Sequence, residues 1–264
     1  VLNEVVPLRF NDVDGAVAQI TRHASTLAAI VLDPMPSRAG LIAPDPEFIT
    51  AIQTVARAHG ILIISDEVLN FRQGYQGAAA RYGLEPDIYT LGKIIGGGLP
   101  IGAIGGRASV MAMFDAGQRR PAVPQGGTFS ANPMSMTAGL EAMRHLDQAA
   151  FGHLERLGDR LRTRIVEGIQ KYQVALCVTG AASLFRIHPK RRAPRDFREA
   201  FWSRSEAAVM TELTRFFAEE GIIVPNSAAA CLSTPMGDAE IDLIGQVFEH
   251  FLSDRAQRME WGQP

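Results

Sequence analysis

Ile61-Leu62-Ile63-Ile64-Ser65-Asp66-Glu67-Val68 is the stretch on which the reading of the whole chain turns. Four consecutive apolar residues, three of them β-branched, run into a serine and two carboxylates. That pattern describes a strand buried on both faces, as in a parallel sheet. Sheets of this kind take their ligands outside the carboxyl ends of the strands, so Asp66 falls where chemistry is expected. Upstream, Leu27 to Leu32 is a second strand candidate, and Pro34 to Pro46, with Gly40, reads as a loop. Phe48, Ile49, Ile52, Val55 and Ala56 repeat at helical spacing until Gly60 ends the helix. A strand-helix-strand unit results, for which a right-handed crossover and parallel pairing are expected. Downstream, strands are expected near Asp87 to Leu91 and Ile101 to Ile104, and helices over Ala108 to Phe114 and Pro133 to Leu146.

The strand ending at Leu91 delivers Lys93 into a glycine-rich turn, Thr90-Leu91-Gly92-Lys93-Ile94-Ile95-Gly96-Gly97-Gly98-Leu99-Pro100. An amine among apolar residues is costly to keep charged, and desolvation frees the lone pair that attacks a carbonyl. Lys93 is therefore a candidate nucleophile in a desolvated site. A lysine and an aspartate at the ends of two strands can converge on one crevice, and the pair suits pyridoxal 5′-phosphate. The amine forms an imine with the aldehyde, and the carboxylate keeps the pyridine nitrogen protonated so that the ring accepts electrons from a carbanion.

Asp66-Glu67-Val68, the segment from Thr90 to Gly106, and Gly127-Thr128-Phe129-Ser130-Ala131-Asn132-Pro133 together resemble the class III, fold-type I pyridoxal-phosphate aminotransferases. The branch they resemble is that of glutamate-1-semialdehyde aminomutase and the β-amino-acid aminotransferases, and the likeness runs from about Leu27 to the end of the chain. It implies an α/β fold with a mostly parallel sheet flanked by helices and a smaller C-terminal α+β domain. It also implies that Lys93 holds the cofactor covalently, that Asp66 pairs with the pyridinium nitrogen, and that Thr128 binds the phosphate through its hydroxyl and backbone amide across a homodimer interface. Val68, read as lying on the same strand face as Asp66, is expected to pack against the flat of the ring. Without that context Val68 is a plain core residue and Thr128 an N-cap of the helix near Pro133. The implied reaction is a ping-pong transfer through Schiff-base chemistry between an amino donor and a keto-acid acceptor.

Composition agrees with an enzyme core: 264 residues, 47% hydrophobic and 20% charged, bury a large interior. A net charge of −2 supplies no long-range attraction to nucleic acid or an anionic membrane. No apolar stretch approaches a membrane span. Cys177 and Cys231, in expected strands, read as small buried apolar residues, and a cytoplasmic setting follows as the simpler expectation. The six histidines make no pair with metal-ligand spacing, so no metal is expected. Gly102-Ala103-Ile104-Gly105-Gly106 fails the spacing of a dinucleotide fingerprint. The basic run Lys190, Arg191, Arg192, Arg195, Arg198 reads as a solvated loop.

Near residue 150 the pattern changes, which divides the chain into residues 1–150, the large cofactor-binding domain, and 151–264, the small domain. Leu154, Leu157, Leu161, Ile165 and Ile169 mark a long amphipathic helix. Strands near Leu176, Ser183 to Ile187, Ile222 and Ala230, a helix over Glu206 to Ala218 and a last helix after Asp238 complete this half. The family resemblance also implies a preceding segment, with a phosphate-binding glycine loop and a ring-stacking aromatic, for which these residues offer no counterpart. Val1-Leu2-Asn3-Glu4-Val5-Val6 is neither a methionine start nor a signal peptide. Two alternatives stay open: a glutamate-1-semialdehyde 2,1-aminomutase, and a non-catalytic or subunit-dependent fragment of the fold. Against the mutase, Pro225-Asn226-Ser227-Ala228-Ala229-Ala230-Cys231 stands where that branch carries an acidic residue and then serine-alanine-histidine. The arginine of some β-amino-acid enzymes is absent there as well.

Overall fold

A computed structural model describes residues 4–115, 117 and 120–257 of the chain; the opening Val1-Leu2-Asn3 lies outside them. The chain divides into two compact units, one of residues 1–35 and 44–148, the other of residues 36–43 and 149–264.

The first unit is built on a four-stranded sheet, β1 (Ala29–Leu32), β2 (Leu62–Asp66), β3 (Ile88–Gly92) and β4 (Gly102–Gly106), in that spatial order. β1, β2 and β3 pair in parallel and β4 returns antiparallel to β3. The reversal needs no crossover helix, since a short glycine turn suffices for an antiparallel neighbour. Helix α1 (Val13–His23) was not anticipated from the sequence, although Asp12 caps it by accepting from the Gly15 amide at 3.1 Å. Its Ala16 and Ile20, one turn apart, are buried with Phe48, Ile49 and Ile52 of α2 (Pro46–Ala58) against Ile30, Leu32 and Ile63 of the sheet. Burial of each such large aliphatic or aromatic side chain contributes about 1.5–3 kcal/mol. The short α3 (Gly77–Arg81), α4 (Ala108–Met111) and the longer α5 (Pro133–His145) complete the unit.

In the second unit an antiparallel sheet of β5 (Cys177–Thr179), β6 (Leu184–His188) and β7 (Ala229–Cys231) accompanies α6 (Gln148–Tyr172), α7 (Phe197–Ala200), α8 (Arg204–Glu219) and α9 (Asp238–Gln257). The apolar stripe of α6, Leu154, Leu157, Leu161 and Ile165, is almost wholly buried, as are Phe217 on α8 and Phe248 on α9, whose rings meet edge to face at 6.4 Å. Arg160 and Arg164 reach Asp242 at 2.7 and 2.5 Å, tying the polar side of α6 to α9. The segment 36–43 belongs here because Arg186 donates to Ser37 O at 2.9 Å and Thr179 to Gly40 O at 2.6 Å. His188, fully buried, also bonds Gly40 O, and burial drives its pKa down to about 4, so the ring is neutral.

Three expectations fail in this half. No strand forms at Ile222: its amide instead closes the end of α8 on Phe217 O at 2.7 Å. Cys231 is exposed rather than buried, because β7 is an edge strand; Cys177 is partly buried, and burial lifts its thiol to about 11. Lys190 is not free in solvent, since it pairs with Glu206 at 2.8 Å, while Arg191 and Arg192 are exposed.

Candidate active site

Three parallel strands end on one edge of the first unit's sheet, and each delivers a polar group there. β2 ends at Asp66, which pairs in register with Thr90 on β3. The Thr90 hydroxyl lies 3.3 Å from Asp66 Oδ1, and the Val68 amide donates to the same oxygen at 3.0 Å. Among the described residues no donor is bonded to Asp66 Oδ2, which leaves one carboxylate oxygen for a cationic N–H. Such a bond is charge-assisted and about twice as strong as a neutral one.

Lys93 follows immediately on β3 and opens a 3-10 turn, Lys93–Gly96. Its φ of 50° puts a non-glycine residue in the left-handed region, at a cost of about 1–2 kcal/mol. This conformation breaks the alternation of β3. The side chain leaves the sheet and is exposed within this chain, contrary to the desolvated setting read from its apolar neighbours. Packing against α5 fixes the turn. A Cβ at Gly97 would lie 2.2 Å from Ala138 O, and one at Gly139 would lie 2.2 Å from Ile95 O, so only glycines allow the approach.

Val68 is not on the strand face shared with Asp66, because β2 stops at Asp66 and the chain turns through Glu67. It reaches the site by a different route: its Cγ1 stands 3.3 Å from where a Cβ on Gly92 would be, beside the residue that precedes Lys93. Glu67, 1% exposed, is consumed structurally, accepting from the Ala78 and Ala79 amides at 2.9 and 2.6 Å at the start of α3. Thr128 lies exposed in the turn before α5 and does not cap that helix. Asn132 does so, accepting from the Met134 and Ser135 amides at 3.0 and 3.5 Å. Asp66 and Val68 thus lie beside the end of β3 that carries Lys93, whereas no described bond joins Thr128 to them.

Sequence reasoning missed Asp33. It is the residue after β1, next to the Leu32–Ser65 register pair, and so sits beside Asp66. Burial raises its pKa to about 6, with the Asp66 charge adding to the rise and bonds from the Met35 amide and Asn70 opposing it. The signal was present, since the rule that singled out Asp66 applies equally to a carboxylate that follows the Leu27 to Leu32 strand. Among the described residues no three His, Cys, Asp or Glu side chains cluster as for a metal, and no helix is long and apolar enough to cross a membrane.

Known proteins resemble this chain in sequence and in fold. The sequence family described as aminotransferase class-III matches residues 10–251. An ω-transaminase from Sphaerobacter thermophilus superposes with a TM-score of 0.92 at 41% identity, over 97% of this chain and 58% of that one. For a β-phenylalanine aminotransferase from Variovorax paradoxus the TM-score is 0.90 at 32% identity, over 96% and 58%. A glutamate-1-semialdehyde 2,1-aminomutase from Lysinibacillus sphaericus is 36% identical over 230 residues, 86% of this chain and 52% of that protein. The chain therefore spans little more than half the length of the relatives it matches.

Proposed function

The chain belongs to the class III aminotransferase family, and from that premise we propose that it carries the lysine and aspartate half of a pyridoxal-phosphate transaminase site. The observation that carries the proposal is the register of β2 on β3, which sets Asp66 and Lys93 at the ends of adjacent parallel strands with one Asp66 oxygen uncommitted. The donor set fits the cofactor: an accessible amine, a carboxylate oriented by Thr90 and the Val68 amide, and an apolar side chain at Val68 beside Gly92. When bound, pyridoxal 5′-phosphate supplies an electron sink for the carbanion formed at the substrate carbon.

The roles of the chain's own residues follow from their chemistry. Lys93 would hold the cofactor covalently, and its amine, when free, would carry the proton between the substrate carbon and the neighbouring position. Asp66 Oδ2 would hold a proton on the ring nitrogen, and Val68 would supply apolar packing beside the ring. Thr128 binds the phosphate from across a homodimer interface. Its exposure supports that reading, as do the exposed Phe129, Met134, Met136 and Leu140 that follow it. Residues 1–150 are then the large cofactor-binding domain and 151–264 the small domain of the transaminase fold, in a cytoplasmic enzyme.

The cycle is amino transfer between an amino acid or amine and a keto acid. The mutase is a second reading, favoured by the aminomutase relative and opposed by the Pro225 to Pro235 stretch. Adding the cofactor and reducing with borohydride tests the site: a visible band lost on reduction, with the label mapped to Lys93, is expected. Label elsewhere, or none, defeats the proposal and leaves a non-catalytic or subunit-dependent member of the fold. β-Phenylalanine with a keto acceptor, against glutamate-1-semialdehyde without one, then separates transferase from mutase.

A further inference from the structure

We propose that Asp33 is a second carboxylate of the ring-nitrogen site, a positioning residue that acts through Asp66 and is held there by a buried chain of hydrogen bonds from Tyr82. The inference rests on the reading that a cationic ring nitrogen meets Asp66. Its basis is a directional network. The Tyr82 hydroxyl donates to Gln73 Oε1 at 2.8 Å, Gln73 Nε2 donates to Asn70 Oδ1 at 2.6 Å, and Asn70 Nδ2 donates to Asp33 Oδ1. The Met35 amide donates to the same Asp33 oxygen at 3.0 Å. Asn70 and Gln73 are 0% and 1% exposed.

Every dipole in this chain points its positive end at Asp33, which favours the carboxylate form, and bonds linked in this way reinforce one another. Its other neighbours favour the acid. The charges of Asp66, at the end of β2, and of Glu67, just beyond it, both raise its pKa. Two donors, the Asn70 side chain and the Met35 amide, are committed to this one carboxylate although the Asp66 and Glu67 charges oppose its ionisation. They are explained if a cation completes the site, and the uncommitted Asp66 oxygen is where it would bind. With a protonated ring nitrogen there, Asp33 and Asp66 become paired to a positive charge instead of repelling each other, and the site selects the protonated ring. Amide side chains do not pass protons at useful rates, so the Tyr82–Gln73–Asn70 chain orients and polarises Asp33 and does not serve as a proton path.

The test uses the cofactor-loaded full chain and reads the visible absorption of bound pyridoxal 5′-phosphate against pH. Losing the negative charge at Asp33 lowers the pH at which the conjugated cation gives up its proton, so Asp33→Asn is expected to move the midpoint down by about one pH unit. Asp33→Glu restores at least half of that shift, and Asn70→Ser, which keeps the carboxylate but removes its donor, moves the midpoint by less than Asp33→Asn. If Asp33→Asn does not fold, the Asn70→Ser shift decides alone. An unmoved midpoint with the label still on Lys93 overturns the role of Asp33 and leaves the transaminase reading standing. Failure of the wild-type chain to take up label at Lys93 overturns both.

Discussion

The two ends of the first unit's sheet carry charges that are handled in opposite ways. At the amino ends of β2 and β3 a cleft of about 330 Å³ is lined by Arg57, Ile61, Glu85, Asp87 and Arg107, and each charge has its partner. Arg57 pairs with Glu85, Arg107 reaches Asp87 at 2.6 Å, and the other Asp87 oxygen accepts from the Ile63 amide at 2.7 Å. At the carboxyl ends Asp33 and Asp66 stand side by side, and no ion pair joins either of them to Lys93 among the described residues. This cleft therefore lies at the satisfied end, and the unfinished electrostatics lie at the other. Structural charges come with their counter-ions, whereas charges set to meet a ligand are left in excess until it arrives.

Substitutions at the two ends should separate cleanly. Lys93→Ala is expected to abolish covalent cofactor labelling and to lower any transaminase rate by roughly 10³-fold or more, and Asp66→Asn by 10²-fold or more, measured in single-turnover assays. Arg107→Ala, which breaks a half-exposed pair at the opposite end, should leave the rate within about twofold and cost under about 1 kcal/mol of stability. Equal losses at both ends would mean that the asymmetry has no functional content.

Next in size is the support of the lysine turn. Gly139→Ala places a methyl against Ile95 O, and overpacking of this kind costs about 1–3 kcal/mol, visible as a lower denaturant midpoint. Because the displaced backbone is that of the Lys93 turn, cofactor uptake should weaken in the same variant. Retained uptake despite lost stability would show that the turn is held by something other than α5.

Much of this was legible beforehand. The strand at Ile61, the helix before it and the alternation with the strand at Asp87 follow from apolar runs and helical spacing, because each element buries a face that the sequence displays. What escaped was set by backbone geometry. The left-handed φ at Lys93 turned an apolar-flanked lysine outward, and the stop of β2 at Asp66 moved Val68 off the strand, and neither leaves a mark in hydrophobic pattern. The Asp33 network escaped for another reason. Asn70 and Gln73 look like loop residues, and their burial depends on a fold that brings positions from β1, β2 and α3 together.

The crowded carboxylates also make a prediction about pH. Asp33 has its pKa raised in the folded chain to about 6, above the value near 4 of an unfolded aspartate, so its proton stabilises the fold at low pH and that contribution fades as pH rises through 6. For a half-buried group the penalty amounts to roughly 2 kcal/mol at pH 8. Asp33→Asn should accordingly raise cofactor-free stability at pH 8 and change it little at pH 4, in denaturant titrations at the two values. A gain that is the same at both would assign the effect to packing and not to charge.

The smallest effect concerns strain. Lys93 occupies a left-handed conformation that costs an L-residue about 1–2 kcal/mol, and glycine adopts it freely. Lys93→Gly should therefore be more stable than Lys93→Ala by about 1 kcal/mol, while both variants lose covalent labelling. A stabilised but inactive glycine variant would mark position 93 as one where the fold holds a side chain against its own preference, the opposite of the amino-end pairs, where structure and charge agree. If the two variants prove equally stable, the turn relaxes once the lysine is gone. The conformation would then belong to the side chain and its packing, not to the α5 contacts at Gly97 and Gly139.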